Sequence, residues 1–481
     1  MTKTVIIGGG ISGLAAAYSL QQTAGESADF LLLESSPRLG GKITSDAGDG
    51  FLVEGGPDSF LTQKSATLDL CRAVGLGDQL MGSNSTATPS TYVYSKGRLH
   101  PMPEGMMLMA PTMVLPFLRS RLISWPGKMR MGMEIFVPRA RGDEDESLAG
   151  FVRRRLGNEL LHKIAGPLMG GIHAADPERL SLKSTFPMFL EMERRHGSLL
   201  RGMMKRPRPS AVHGAKRPPM FMSLRGGLQQ LSDALVSQLP QSALRAGCRA
   251  LAVRRSTEGY RIDLSDGTFI PADDVVFATP SYVTADLVEE IDPALAGRLR
   301  AIRYVSTATV SLGFRRSDVA HPMHGAGFIV PHSEGRRITA CSWSSAKFNH
   351  RAPEDCVLLR VFIGGALCEG LAEQDEAALV QLAREELQTI MGVAETPVLA
   401  KAYRWHKANP QYDLGHEERV AEIERTLANL PGLHLVGAAY RGAGIPDCIQ
   451  GGMKAAQTIA AKQSRANSRC ESETSTVCTG S

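Results

Sequence analysis

The sequence predicts an α/β chain with a nucleotide-binding domain built from both chain ends, an inserted α+β domain and a helical domain. Two observations predict it. A glycine-rich turn joins an apolar run to a helix-forming run at the start, and a similar apolar run, glycine turn and helix recur near the end. Thr4-Val5-Ile6-Ile7 reads as a buried strand, Gly8, Gly9, Gly10, Ile11, Ser12 and Gly13 as the turn, and residues 14–20 as the helix. Gly8, Gly10 and Gly13 fit G-x-G-x-x-G in its required place, so the unit is Rossmann-like. Such glycines let the backbone turn tightly, approach a pyrophosphate and pack helix on strand. The helix N-terminus adds unpaired N–H groups and a partial positive charge. Residues 30–33 form a second apolar strand ending in Glu34 and Ser35. That is about 20 residues past the glycines, where an acid accepts ribose hydroxyls and disfavours a 2′-phosphate.

The next elements select the nucleotide. Arg38-Leu-Gly-Gly41-Lys42 follows the acid, and Glu54-Gly-Gly56-Pro57-Asp58-Ser59 comes after it. A plain nicotinamide dehydrogenase has no need of a second glycine turn here, whereas FAD, whose ring system reaches further, does. Residues 432–437 read as a strand ending in a glycine turn. It leads into Gly444-Ile445-Pro446-Asp447, then Gly451-Gly452 and a helix over 453–461. This unit returns the chain to the first domain, with a helix N-terminus aimed at the cofactor's middle. The expected cofactor is FAD.

Between these ends, residues 83–217 turn helical, with apolar positions 151, 152, 156, 160, 161 and 164 at helical spacing. Residues 206–219, rich in Pro and basic residues, read as a linker. From 221 the chain returns to the nucleotide domain, with alternating strands and a hairpin turn at Asp266-Gly267. Residues 281–400 carry four strand-like runs and a helix over 373–391, a sheet-floored substrate domain. The expected division is 1–82, 221–280 and 401–462 for the FAD domain, 83–217 for the helical domain, and 281–400 for the substrate domain. A disordered tail over 463–481 completes it.

Composition narrows the class. The 481 residues suggest two or three domains, and 43% hydrophobic with 21% charged residues is ordinary for a globular chain. Twenty methionines against 6% aromatics suit adaptable apolar pockets. The net charge of +5 is mild, but Arg194, Arg195, Arg201, Lys205, Arg206, Arg208, Lys216 and Arg217 follow one another without an acid. No aromatic is interleaved for base stacking, so no nucleic acid is expected; the run is a solvated loop or attracts a polyanion or an anionic surface. The eight cysteines show no paired or zinc-like spacing, which favours reduced thiols in a cytoplasmic protein and no metal. The longest apolar stretch, 106–118, is broken by Pro111 and Pro116, too short to span a bilayer but able to touch its interface.

The quoted motifs, with Leu99-His-Pro-Met-Pro103, Gly166-Pro-Leu-Met-Gly-Gly-Ile172, Leu180-Ser-Leu-Lys-Ser-Thr-Phe186 and Gly327-Phe-Ile-Val-Pro331, resemble the porphyrinogen oxidases of haem biosynthesis. These belong to the FAD amine-oxidase and carotenoid-desaturase superfamily, and the resemblance is greatest to the bacterial type, which oxidises coproporphyrinogen III and also protoporphyrinogen IX. It implies a tetrapyrrole substrate, dioxygen as acceptor, hydrogen peroxide as product, and a monomer or homodimer. It implies contacts to FAD from Val253 and Trp405, and a substrate surface at Gly171, Ile172 and Ile329, with a Gly-Gly turn at 170–171 admitting a broad flat ring. No catalytic base is implied. One departure stands out: plant and animal members place a propionate-binding arginine before an aromatic-x-aromatic run, and here Thr91 precedes Tyr92-Val93-Tyr94. An amine oxidase or carotenoid desaturase is the alternative; a non-catalytic FAD-fold protein that binds lipidated partners is a further one.

Overall fold

In the computed structural model, residues 3–25, 28–84, 91–107, 109–140, 142–205 and 219–477 are described. A five-stranded parallel sheet is assembled from distant parts of the chain, in the order Leu244–Arg245, Phe30–Leu33, Thr4–Ile7, Asp274–Phe277, Leu433–Leu435. Thr4–Ile7 and Phe30–Leu33 are buried along their whole length, as strands covered on both faces must be. One face packs on the helices Ile11–Ala24, Gln229–Gln238 and Ile445–Val477. The other packs on Ser281–Val288, Pro293–Arg300, His416–Leu427 and the antiparallel strands Ala250–Ser256, Gly259–Leu264 and Phe269–Ala272. The first and last helices meet closely because Gly452 has no side chain: a Cβ there would sit 2.2 Å from the Ser12 carbonyl oxygen. Gly452 is thus a helix–helix contact, and both it and Gly451 lie inside the helix Ile445–Val477, which starts before the expected 453.

A seven-stranded sheet forms the second layer, in the order Leu399–Pro410, Tyr304–Arg315, Cys356–Gly364, Ala340–Trp343, Gly327–Ile329, Tyr92–Ser95, Arg98–Pro101. This corrects the expected boundaries twice. The stretch 83–217 opens with two strands that complete the substrate-side sheet, and 401–410 belongs to that sheet rather than to the FAD domain. Both segments sit at the sheet's edges and depend on distant partners: Tyr92–Ser95 pairs with Gly327–Ile329, and Leu399–Pro410 with Tyr304–Arg315. Glu376–Met391 covers one face through Leu379, Leu382, Ala383 and Leu387.

The helical region has its own core around Phe151, Val152, Leu160, Ile164, Met169 and Phe189. The run 151–164 is not one helix: Leu148–Arg155 stops at Gly157, whose φ is +95°, and Asn158–Leu160 starts anew. Glu134 and Arg155, both fully buried, pair there, and Glu134 also accepts from Ser198 Oγ at 2.5 Å and the Leu199 N–H at 2.8 Å. The tail differs from expectation as well. Residues 463–477 contain no Gly or Pro, and the helix Ile445–Val477 continues through them. The basic linker 206–218 and residues 478–481 lie outside the described residues. Of the rest of the basic run, Arg194 pairs with Asp143 at 2.6 Å and Arg195 with Glu191, as solvated helix surface does.

Candidate functional site

One cavity of about 1440 Å³ runs between the two sheets. Single small-molecule sites occupy roughly 300–1,000 Å³, so this one has room beyond a single ligand. At its nucleotide end the wall is backbone. Gly8, Gly10, Ile11 and Ser12 line it, where the first helix starts at Gly10 with no side-chain cap. Gly13 does not line it; a Cβ there would lie 2.0 Å from the Gly8 oxygen, so its task is to let helix and strand touch. Gly9 faces away, toward Leu39 and the Glu34 stem. Glu34 lines the cavity with its carboxylate held by the Gly9 N–H at 2.7 Å and the Ser36 N–H at 2.8 Å, and Ser35 is beside it.

The cavity continues along Gly40, Gly41 and Lys42 to Gly56, Pro57 and Ser59. A Cβ on Gly41 would sit 2.9 Å from the Gly10 Cα, and one on Gly56 would sit 1.8 Å from the Lys42 oxygen. The two turns are therefore stacked along one path, with Lys42 Nζ bonded to the Ala408 carbonyl across it. Trp405 lines the path and donates from Nε1 to the Gly55 carbonyl at 2.9 Å. The same carbonyl accepts from Thr309 Oγ1 at 3.0 Å and Arg360 Nη2 at 3.3 Å. Gly437, Gly444, Ile445 and Cys448 close the near side.

Several expected contacts fall elsewhere. Asp58 points away from the cavity to Lys347, with oxygens 3.0 and 2.8 Å from Nζ. Burial works to raise its carboxyl, but Lys347 and Arg360 outweigh that and hold it well below the usual carboxylate range. Pro446 and Asp447 turn into the helix and its flank, where Asp447 pairs with Lys64. Val253 is fully buried inside its strand pair; the cavity wall there is Cys248, Arg249 and Ala250, just before it. Ile329, the last residue of its strand, is buried against the helical core, whereas Val330, which follows it, lines the cavity.

At the far end Gly170, Gly171, Ile172 and His173 meet Val330, Ile338, Phe362 and Ile363. Gly170 and Gly171 are not a turn: they lie in the helix Gly166–His173, and a Cβ on Gly171 would meet nothing within 4 Å. Ile172 is 57% exposed, an apolar side chain left beside open space. Burial pushes the His173 imidazole down to about 4, and its ring packs edge-on to Phe186 at 5.5 Å. Thr91 is not among the residues lining the cavity. Sequence reasoning missed Arg249, Thr307, Thr309, Arg336, Arg337 and Arg360, all of which do line it. Thr309 and Arg360 lie in runs read as strands, but which face would be covered was not visible; Arg249, Arg336 and Arg337 lie in connections between strands. Among the described residues no group of three or more His, Cys, Asp or Glu could hold a metal ion. The stacked glycine turns, the uncapped helix start and the ribose-side acid fit a dinucleotide longer than a nicotinamide one.

The model of the family described as flavin containing amine oxidoreductase matches residues 11–460. The chain is 37% identical to the coproporphyrinogen III oxidase of Bacillus subtilis (strain 168) over 457 residues, covering 94% of this chain and 96% of that protein. It is 32% identical to the protoporphyrinogen oxidase of Homo sapiens, covering 95% and 98%. A solved structure from Exiguobacterium sp. 255-15 superposes with a TM-score of 0.84 at 32% identity, covering 96% of this chain and 99% of that one. Reduced UDP-galactopyranose mutase shares the fold, with a TM-score of 0.70 at 17% identity over 96% of each chain. The chain belongs to the flavin-containing amine oxidoreductase family, and FAD is the dinucleotide its cavity takes.

Proposed function

We propose that this chain is an FAD- and oxygen-dependent porphyrinogen oxidase of haem biosynthesis. It removes six electrons from coproporphyrinogen III, protoporphyrinogen IX or both, with release of hydrogen peroxide. FAD supplies the redox chemistry, two electrons in each of three rounds. The observation that carries this reading is the continuity of the cavity from the Gly8 turn to the chamber beside Gly171 and Ile172. In that chamber the helix offers a surface without a side chain at Gly171, while Val330, Phe362 and Ile363 exclude water. Arg336 and Arg337 line the same cavity. Arg336 gives only Nε to Glu386, at 2.8 Å, which leaves its outer nitrogens open to a propionate carboxylate. The reading assigns no side chain the part of nucleophile or base, and aromatisation of the product supplies much of the driving force.

The test is turnover of both porphyrinogens by the FAD-loaded protein, with porphyrin fluorescence and peroxide followed together. The kcat/KM for coproporphyrinogen III is expected to equal or exceed that for protoporphyrinogen IX. Oxidation of neither, with FAD tightly bound, overturns the reading in favour of another family activity.

The same reading includes peripheral contact with a membrane surface. Among the described residues no helix is long and apolar enough to cross a membrane. Leu115, Trp125, Met129, Met133 and Phe136 nevertheless stand exposed on neighbouring segments of the helical region, Trp125 at 66% and Phe136 at 77%. Exposed apolar clusters of this kind mark interaction surfaces. Flotation with anionic vesicles is expected to carry the protein, and to fail after Trp125→Ala with Phe136→Ala.

A further inference from the structure

Beneath the second glycine turn lies a charge cluster that the proposed reaction does not use. Lys347, Arg351 and Arg360 face two carboxylates, Asp58 and Glu54. Lys347 pairs with Asp58 at 2.8 Å. Arg351 stands 3.6 Å from Glu54 and gives its other donors to the Arg225 and Leu224 carbonyls and to Ser223 Oγ. Arg360 differs. Only 3% of it is exposed, yet among the described residues it forms no ion pair. Its Nη2 donates to the Gly55 and Gly56 carbonyls, its guanidinium carbon lies 5.0 Å from the Phe362 ring centre, and its Nε has no partner.

Burial pushes the Glu54 carboxyl up toward its neutral form, which widens the excess of cations over anions. An uncompensated buried charge is costly, by several kcal/mol even after relaxation. Such a charge persists where the state it serves brings the missing anion. Arg360 lines the cavity, and the loop it holds carries Gly56 and Pro57 along the cavity wall beyond Lys42, where FAD would extend. Two-electron reduction of the flavin with uptake of one proton leaves it with one more negative charge than before. A cation fixed in a low-dielectric wall favours that form over the oxidised one.

We infer that Arg360 is an electrostatic positioning residue for the flavin: it anchors the Gly55–Gly56 turn and supplies a buried positive charge, without an ion-pair contact among the described residues, that raises the reduction potential of bound FAD. The inference rests on the FAD assignment and not on the porphyrinogen reading, and its readout needs no substrate.

The experiment is the midpoint potential of FAD in the holoprotein, by anaerobic equilibration with a reference dye, for the parent, Arg360→Met, Arg360→Lys and Asp58→Asn. Arg360→Met is expected to lower the ratio of reduced to oxidised flavin at a fixed potential by about tenfold, ~30 mV for a two-electron couple. Arg360→Lys retains the charge and should restore most of that shift. Asp58→Asn removes an opposing charge and should move the potential upward. An unchanged potential in flavin-loaded Arg360→Met overturns the inference. If Arg360→Met holds no FAD, the other two variants decide: an Arg360→Lys potential close to the parent with an upward shift in Asp58→Asn supports it. A loss in the lysine variant with no upward shift in Asp58→Asn overturns it, leaving Arg360 a structural donor to the turn.

Discussion

The two ends of the cavity hold their ligands by different means. At the nucleotide end the wall is main chain packed to contact: absent Cβ atoms at Gly13, Gly41 and Gly56 leave gaps of 2.0, 2.9 and 1.8 Å to neighbouring backbone. At the substrate end Gly171 has nothing within 4 Å and Ile172 lies exposed. The first end has been closed by folding itself, and Gly13, Gly41 and Gly56 there are steric requirements. The second is a space left open, where the same residue type means room for something else. A glycine's meaning thus depends on what stands opposite it.

That contrast is most directly broken at Gly56. Gly56→Ala forces a methyl into the Lys42 carbonyl, and inserting even small groups into a packed site costs about 1–3 kcal/mol or more. Loss of bound FAD after dialysis is expected, read from the flavin absorbance. Retention of stoichiometric FAD would show that the second turn is not as tight as its geometry.

Glu34→Ala tests the polar half of the same end. Losing a hydrogen bond to a charged group is worth about 1.5–3 kcal/mol, or roughly 10- to 100-fold in FAD affinity. The Gly9 and Ser36 N–H groups also lose their acceptor, so a modest fall in melting temperature should accompany it. Equal affinity in the variant would remove Glu34 from the ribose site.

Gly171→Val sharpens the comparison from the other side. With nothing within 4 Å of the new Cβ, FAD content and melting temperature should be unchanged while porphyrinogen kcat/KM falls about tenfold, by the loss of oriented contact. A destabilised protein would mean that the position is packed after all.

A pH-dependent effect concerns His173, at the substrate end. Its folded-state pKa lies near 4 against 6.5 for a free imidazole, so between these values the unfolded chain binds the extra proton. Stability contributed by the neutral ring is present above pH 6.5 and is lost as pH falls toward 4. His173→Gln should flatten that slope in denaturant titrations, and an unaltered slope would show the ring to be solvated.

Much of the nucleotide end was legible in the sequence because its determinants are local. Strand, glycine turn, helix and following acid lie within 31 residues, from Thr4 to Glu34, and each constrains its own backbone. The substrate end was legible only through resemblance. There Ile329 and Val330 differ by one residue yet face opposite sides, and the helix 166–173 that holds the Gly-Gly pair buries Met169 in a core that also draws on Val93, Phe189, Ile329 and Tyr412. Asp58 stands inside a convincing motif but serves Lys347, a partner 289 residues away.

By itself the sequence determined the Rossmann-like unit, its dinucleotide glycines, the acid after the second strand and the return of the chain at 432–461. Short-range sterics and periodicity suffice for these, since they act between neighbours in the chain. Only the tertiary structure decided which sheet receives Tyr92–Ser95 and Leu399–Pro410, and how the first and last helices cross at Gly452. It alone decided that Arg360 is buried against the turn at Gly55 and Gly56 without an ion-pair partner among the described residues. Burial and charge compensation are properties of what surrounds a residue in space, and no local pattern encodes them.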